Sequence, residues 1–152
     1  MAFVNFKTIQ LSRKDLFIED AFIEGQWLAK DRKFDVVEPS TSTSLGQVAD
    51  CDVKDFKKAI DSANKAQIAF FNNTTGTSRG ALLRKWYDLI LVNQEDIATI
   101  LSLENGKTYG EARGEVVYAA NFISWFAEEA TRAYGSQWVC VESSHHGTFR
   151  QQ

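Results

Sequence analysis

Residues 101–135 read LSLENGKTYGEARGEVVYAANFISWFAEEATRAYG. Gly106, Gly110 and Gly114 stand four apart ahead of a long apolar run, so two readings compete: a loop that cradles phosphate, or a joint between helices. A dinucleotide fingerprint needs a strand followed by G-x-G-x-x-G at the start of a helix. Here the spacing is G-x-x-x-G-x-x-x-G, and the residues before Gly106 have a helical period. The pair Lys107-Thr108 follows a glycine, but no earlier glycine lies where a G-x-x-x-x-G-K-[ST] loop requires it. The joint is the better reading. Gly106 is then the left-handed C-cap of one helix, and Gly110 and Gly114 ease packing at the start of the next. That helix starts near Thr108 or Gly110 and runs to Tyr134. It is apolar nearly all round between Val116 and Ala127, which predicts burial on several sides.

Upstream, the apolar period is again helical. Val53, Phe56, Ile60, Ala63 and Phe70 mark one face of a helix that Asp52 caps, with Asp55 completing a capping box. "NNTTGTS" (72–78) breaks it, and Ser78 caps a second helix with a stripe of Leu82, Trp86, Leu89 and Ile90. Asn93 caps a third, with Ile97, Ile100 and Leu101 inward and Asp96 at its third position. Before Asp52 the period shortens. "AFIEGQWLA" (21–29) alternates around Glu24-Gly25, a hairpin signal. "FDVVEP" (34–39) is a strand that stops at the single proline, Pro39. "STSTS" (40–44) is a polar turn and "LGQVAD" (45–50) a third short strand. The fold class is therefore α+β: short strands and a hairpin, then four α-helices.

Composition bounds the function. The 152 residues suffice for one domain. Hydrophobic residues at 44% and charged residues at 24% place the chain in the globular range. A net charge of −3 without a Lys/Arg cluster argues against nucleic acid or an anionic membrane as partner. No apolar run approaches the roughly 20 residues of a membrane span. The first residues lack the apolar core and cleavage site of a secretory signal. Two cysteines make no disulfide framework, so a reducing, cytoplasmic setting is expected, with a mitochondrial one as the alternative.

Five groups of residues bear on chemistry. The glycines are a joint. Cys51 precedes a helix N-terminus, and Cys140 has His145 and His146 nearby, but no orienting Asn or Asp has a recognisable spacing. Both are expected to be non-catalytic. The same thiol and histidines, with Glu142, supply metal-ligand types, yet adjacent histidines rarely converge and no second ligand pair exists upstream, so no metal is expected. Glu104, Glu111, Glu115, Glu128 and Glu129 read as solvated or salt-bridged helix faces. Tyr118, Phe122 and Trp125-Phe126 recur at helical spacing, which suits a core before it suits a substrate box. On the residues alone, no self-contained active site is present.

The residues also carry a likeness. "FIEGQW", "FDVVEPSTSTSLGQVADCDVKDFKKAIDSANKA" and "RGALLRKWYDLILVNQEDIATILSLENGKTYGEARGEVVYAANFISWFAEEATRAYG" resemble the N-terminal part of the aldehyde dehydrogenase superfamily. "LENGK" with the block that ends in "WFAEEATRAYG" is most similar to its succinate-semialdehyde branch. "AFFNNTTGTSRG" and "VVEPSTS" depart from the family pattern locally. The resemblance implies an incomplete part of the family's nucleotide-binding domain over 1–135, and a divergent, poorly ordered tail over 136–152 with at most one short strand at 138–141. It implies NAD or NADP as cofactor of the full-length family, with none binding this chain alone, and a small aldehyde as substrate. The nucleophilic cysteine and general-base glutamate of the family have no match, so the resemblance assigns no catalytic residue here. By the matched motif, Tyr118 and Phe122 would line the mouth of the substrate tunnel. The chain is then a truncated dehydrogenase, inactive alone. The alternative is a non-catalytic module that binds a full-length or complementary dehydrogenase chain.

Overall fold

Glu24 and Gly25 both hold positive φ, 56° and 77°, the backbone of the tightest two-residue hairpin turn. Strands β1 (Ala21–Ile23) and β2 (Gln26–Leu28) therefore pair antiparallel, as their alternation predicts, and Phe22 faces Trp27 with ring centroids 4.9 Å apart. The computed structural model describes residues 11–133 and, beyond them, the backbone of two further strands.

The second hairpin joins β3 (Lys33–Glu38) to β4 (Thr43–Ala49). Its register slips after Val36, so that Val36 faces Gly46 while Val37 faces Ser44. Leu45 is the extra residue of this bulge, and it is buried. At the hairpin tip the Glu38 carboxylate accepts from the backbone N–H of Ser40 (3.0 Å) and Thr41 (2.8 Å), and from both their hydroxyls. These donors, the Ser40 hydroxyl first, bring its pKa down to about 2. A carboxylate held below its unfolded value adds stability that is present above the unfolded pKa and fades as pH falls toward the folded one. The tip is thus expected to loosen between pH 4.5 and about 2. Glu38→Gln should produce the same loosening at neutral pH, seen as faster amide exchange at Ser40 and Thr41. Unchanged exchange would refute the assignment.

Four helices follow: α1 (Val53–Asn73), α2 (Gly76–Val92), α3 (Gln94–Asn105) and α4 (Tyr109–Glu129). Asp52 and Asp55 form the expected capping box on α1. Asp55 also accepts from the Lys30 ammonium at 2.7 Å, which ties α1 to the end of β2. The N-cap of α2 is Thr75 rather than Ser78; Ser78 is the reciprocal partner three residues on. Asn93 is the N-cap residue of α3, as expected, and its carbonyl accepts from the Ile97 N–H at 3.0 Å, but its side chain makes no capping bond and donates back to the Leu89 carbonyl at 2.7 Å. Gly106 ends α3 at φ 74°, as expected, with the Pro39 ring 3.4 Å from where a Cβ would sit. Thr108 caps α4, which ends at Glu129, short of Tyr134.

The core lies where α4 crosses α2 and α3. Ala98, Ala112 and Val116 are buried there, flanked by Ile90, Ile97 and Leu101. Gly110 and Gly114 do not ease any packing, since nothing approaches the places their Cβ atoms would take. The close approach is instead between α2 and α4. A Cβ on Gly76 would lie 2.6 Å from the Ala130 carbonyl oxygen, and one on Gly80 would lie 2.7 Å from that of Ala127. Arg84 closes the same seam, donating to the Ser124 hydroxyl at 2.8 Å and pairing with Glu128.

Two of the predicted apolar stripes face outward, except at Ile90, which packs against the core. Val53, Phe56, Ile60 and Phe70 of α1, and Leu82, Trp86 and Leu89 of α2, are all exposed. Periodicity shows that a helix has an apolar face; what covers that face is a matter of tertiary context.

Past residue 133, β5 (Gln137–Cys140) pairs antiparallel with β6 (Gly147–Arg150). This second strand has no counterpart in the single-strand expectation, because residues 147–150 lack an alternating pattern. The rest of the expectation of a poorly ordered tail, with the side chains of Cys140, His145 and His146, lies outside the described residues.

Candidate functional site

The two candidate residues, Tyr118 and Phe122, meet on α4. They are one turn apart, and their rings stand edge to face at 89° with centroids 5.0 Å apart. Trp125 and Phe126 continue the row in the same manner, at 5.1 Å and 85°. With Asn121 these residues line a shallow groove of about 490 Å³. Asn121 escaped the reading of the sequence, although its place three residues after Tyr118 and four before Trp125 puts it on that face.

The groove lies opposite the packed side of α4. At 100° per residue, Ala112, Val116, Ala120 and Ala127 cluster on the buried face. The aromatic row falls on the other side, with its four rings between 51% and 65% exposed. The expectation that α4 is buried on several sides therefore fails: small residues let α2 and α3 approach one face, and the large rings face outward.

Chemically the groove is a wall without a reacting group. The lining residues carry three polar groups, the Asn121 amide, the Tyr118 hydroxyl and the Trp125 indole N–H, but the surface they turn to the groove is carbon. Apolar carbon is what it accommodates.

The other candidates are spread apart. Glu115 pairs with Lys107, Glu128 with Arg84 and Glu129 with Arg132. Glu111 accepts from the Thr108 hydroxyl at 2.8 Å and from its N–H at 3.2 Å, which lowers its pKa. Glu104 is pushed up by desolvation. Cys51 is a half-buried free thiol beside the start of α1. Among the described residues no three ligand-type side chains converge, and no helix is long and apolar enough to cross a membrane.

Comparison with known proteins fits this geometry into a larger one. A family model described as the aldehyde dehydrogenase family matches residues 27–152. The matched range includes residues 136–152, the stretch that the sequence sets apart as a divergent tail. Succinate-semialdehyde dehydrogenase [NADP(+)] 1 of Schizosaccharomyces pombe is 44% identical over 133 residues, which are 86% of this chain and 26% of that protein. The mitochondrial succinate-semialdehyde dehydrogenase of Mus musculus is 44% identical over 124 residues, 80% of this chain and 23% of its own length. Among solved structures, the succinate-semialdehyde dehydrogenase of Burkholderia pseudomallei superposes with a TM-score of 0.80 at 38% identity, covering 88% of this chain and 28% of that one. An aldehyde dehydrogenase from Brucella melitensis biovar abortus gives 0.82, also at 38% identity, covering 90% of this chain and 28% of its own. The chain thus spans about a quarter of the length of these relatives. Its strands followed by four helices match the N-terminal part of their fold.

Proposed function

Because the chain belongs to the aldehyde dehydrogenase family, we propose that it supplies the N-terminal portion of an NAD(P)-dependent dehydrogenase that oxidises a short semialdehyde, of the succinate-semialdehyde class, to the acid. The observation that carries the substrate class is the 44% identity to two proteins named for that aldehyde. NAD or NADP, when bound by the whole fold, would supply the acceptor for the hydride that such an oxidation removes from the aldehyde carbon.

The described residues do not fit the nucleotide. Gly106, the first of the three glycines, is committed to capping α3 against Pro39. The residues lining the groove include no charged side chain. Holding the nucleotide and supplying the nucleophile belong to the rest of the family's fold. In this reading the contribution of this chain is positional. Tyr118 and Phe122 form part of the wall along which the aldehyde enters, and their rings displace water from its carbon chain.

The purified 152-residue chain, given succinate semialdehyde with NAD or NADP, is therefore expected to reduce no nucleotide above the buffer rate. The absorbance of the reduced cofactor reads this directly. Turnover that disappears in Cys140→Ser would overturn the reading, because the chain would then carry its own nucleophile.

A further inference from the structure

Helix α4 is apolar on two opposite sides, and only one of them is covered. The inner side meets α2 and α3 through alanines and Val116. The outer side presents four aromatic rings to solvent. A surface helix of a self-sufficient domain has one apolar stripe. Helix α1 shows the same deficit in another form. Its inner side chains reach β1 and Lys30 near the N-terminus, but residues 63–73 are exposed on every side, Ile68, Phe70 and Phe71 among them. Apart from the Arg79 guanidinium over the Phe71 ring at 5.1 Å, these eleven exposed helical residues have little packed against them, and helices draw most of their stability from packing.

The open area is large enough to matter. Aromatic side chains bury roughly 150–250 Å² each. The half-exposed rings of α4, with the apolar residues of α1, leave on the order of 1,000 Å² uncovered. A standard interface takes about 800 Å² from each partner. The relatives supply a candidate for the body that covers these faces. They carry the same arrangement, superposing at a TM-score of 0.82, inside chains of which this one covers 28% or less.

We propose that the outer face of α4 (Tyr118, Phe122, Trp125, Phe126) and the distal half of α1 dock the complementary three quarters of an aldehyde dehydrogenase fold when that is supplied as a separate chain lacking its own N-terminal quarter. A full-length dehydrogenase is not the partner. Its own N-terminal part occupies the same place, tethered at an effective concentration of about millimolar or more, and a free competitor 44% identical to it does not displace it. The proposal rests on the family membership and not on the identity of the aldehyde.

The test co-expresses the tagged 152-residue chain with the Schizosaccharomyces pombe relative truncated to begin after the segment it matches. Capture on the tag, then size-exclusion chromatography, reads the complex. One-to-one co-elution is expected, with amide exchange slowed at least about tenfold in residues 63–73 and 118–126. Phe122→Asp and Trp125→Asp each place a charge at the centre of the surface and should weaken the complex at least about 30-fold. Both positions face away from the core, so the circular-dichroism melting curve of the variant chains alone should stay put. The intact relative should not be captured.

A truncated partner that remains insoluble or uncaptured in the presence of the chain overturns the proposal. So does equal capture of the intact relative, or variants that bind as tightly as the parent. Self-association of the chain, blocked by the same substitutions, overturns it too, because the occupant is then a second copy. Turnover separates the two readings: a complex that forms but oxidises no semialdehyde leaves the docking surface standing and removes the proposed substrate.

Discussion

Replacing Gly80 by valine is expected to destabilise the fold by about 3 kcal/mol, at the upper end of what overpacking costs. The space for the new Cβ is already taken: the Ala127 carbonyl oxygen lies 2.7 Å from it, and this neighbour is backbone, which cannot turn aside as a flexible side chain can. Valine adds two methyl groups to that clash and lowers helix propensity through its branched Cβ. Alanine is the sharper probe, because two effects oppose each other. In an open helix position, glycine to alanine stabilises by up to about 1 kcal/mol. Here the helices must separate by several tenths of an ångström, which strains the Arg84 contacts to Ser124 and Glu128. Gly80→Ala should therefore lower the urea midpoint. Gly114→Ala, with nothing within 4 Å of the new methyl, should raise it. If Gly80→Ala raises the midpoint as Gly114→Ala does, the close α2–α4 crossing is wrong.

Asp96→Ala is expected to cost a similar amount, about 3 kcal/mol, for a different reason. Asp96 is only 8% exposed. It accepts from the backbone N–H of Ser12 at 3.0 Å and of Arg13 at 2.8 Å, which fastens a segment more than eighty residues away in sequence onto the start of α3. Hydrogen bonds to a charged group are worth about 1.5–3 kcal/mol each, and the two are not additive because they share one side chain. Leu11, buried beside them, loses its anchor in the same step. Asn is no rescue: its oxygen keeps one acceptor, while its amide sets N–H against N–H at the other. Thermal unfolding of Asp96→Ala and Asp96→Asn, with amide exchange at Ser12 and Arg13, checks this. A wild-type midpoint in either variant would show that the segment is held by something else.

The elements written in local chemistry were legible. The two-residue turn at Glu24-Gly25 takes positive φ at both positions, Asp52 and Asp55 cap α1 together, and Gly106 closes α3, because each signal needs only its own neighbours. Thr75 and Ser78 were confused because a reciprocal pair of hydroxyls offers the same chemistry from either end. What stayed hidden depends on residues far along the chain. Gly80 matters through Ala127, and Asp96 through Ser12 and Arg13. The glycines that stand out in the sequence, Gly110 and Gly114, meet nothing. The candidate site was half legible. Helical spacing put Tyr118 and Phe122 side by side, but the same spacing suits a core, and only the alanine face of α4 decides that these rings point away from it.

The outward rings have a spectroscopic consequence. Trp27, Trp86 and Trp125 are between 55% and 58% exposed. Each indole is already largely hydrated in the folded chain, so its emission lies near that of the unfolded one, and denaturation moves it little. The usual fluorescence readout of folding is then nearly blind in these three positions and becomes a readout of coverage. A body that seats on α4 takes Trp125 out of water and shifts its emission to shorter wavelength, while Trp27, on its hairpin at the other end of the sequence, serves as the internal standard.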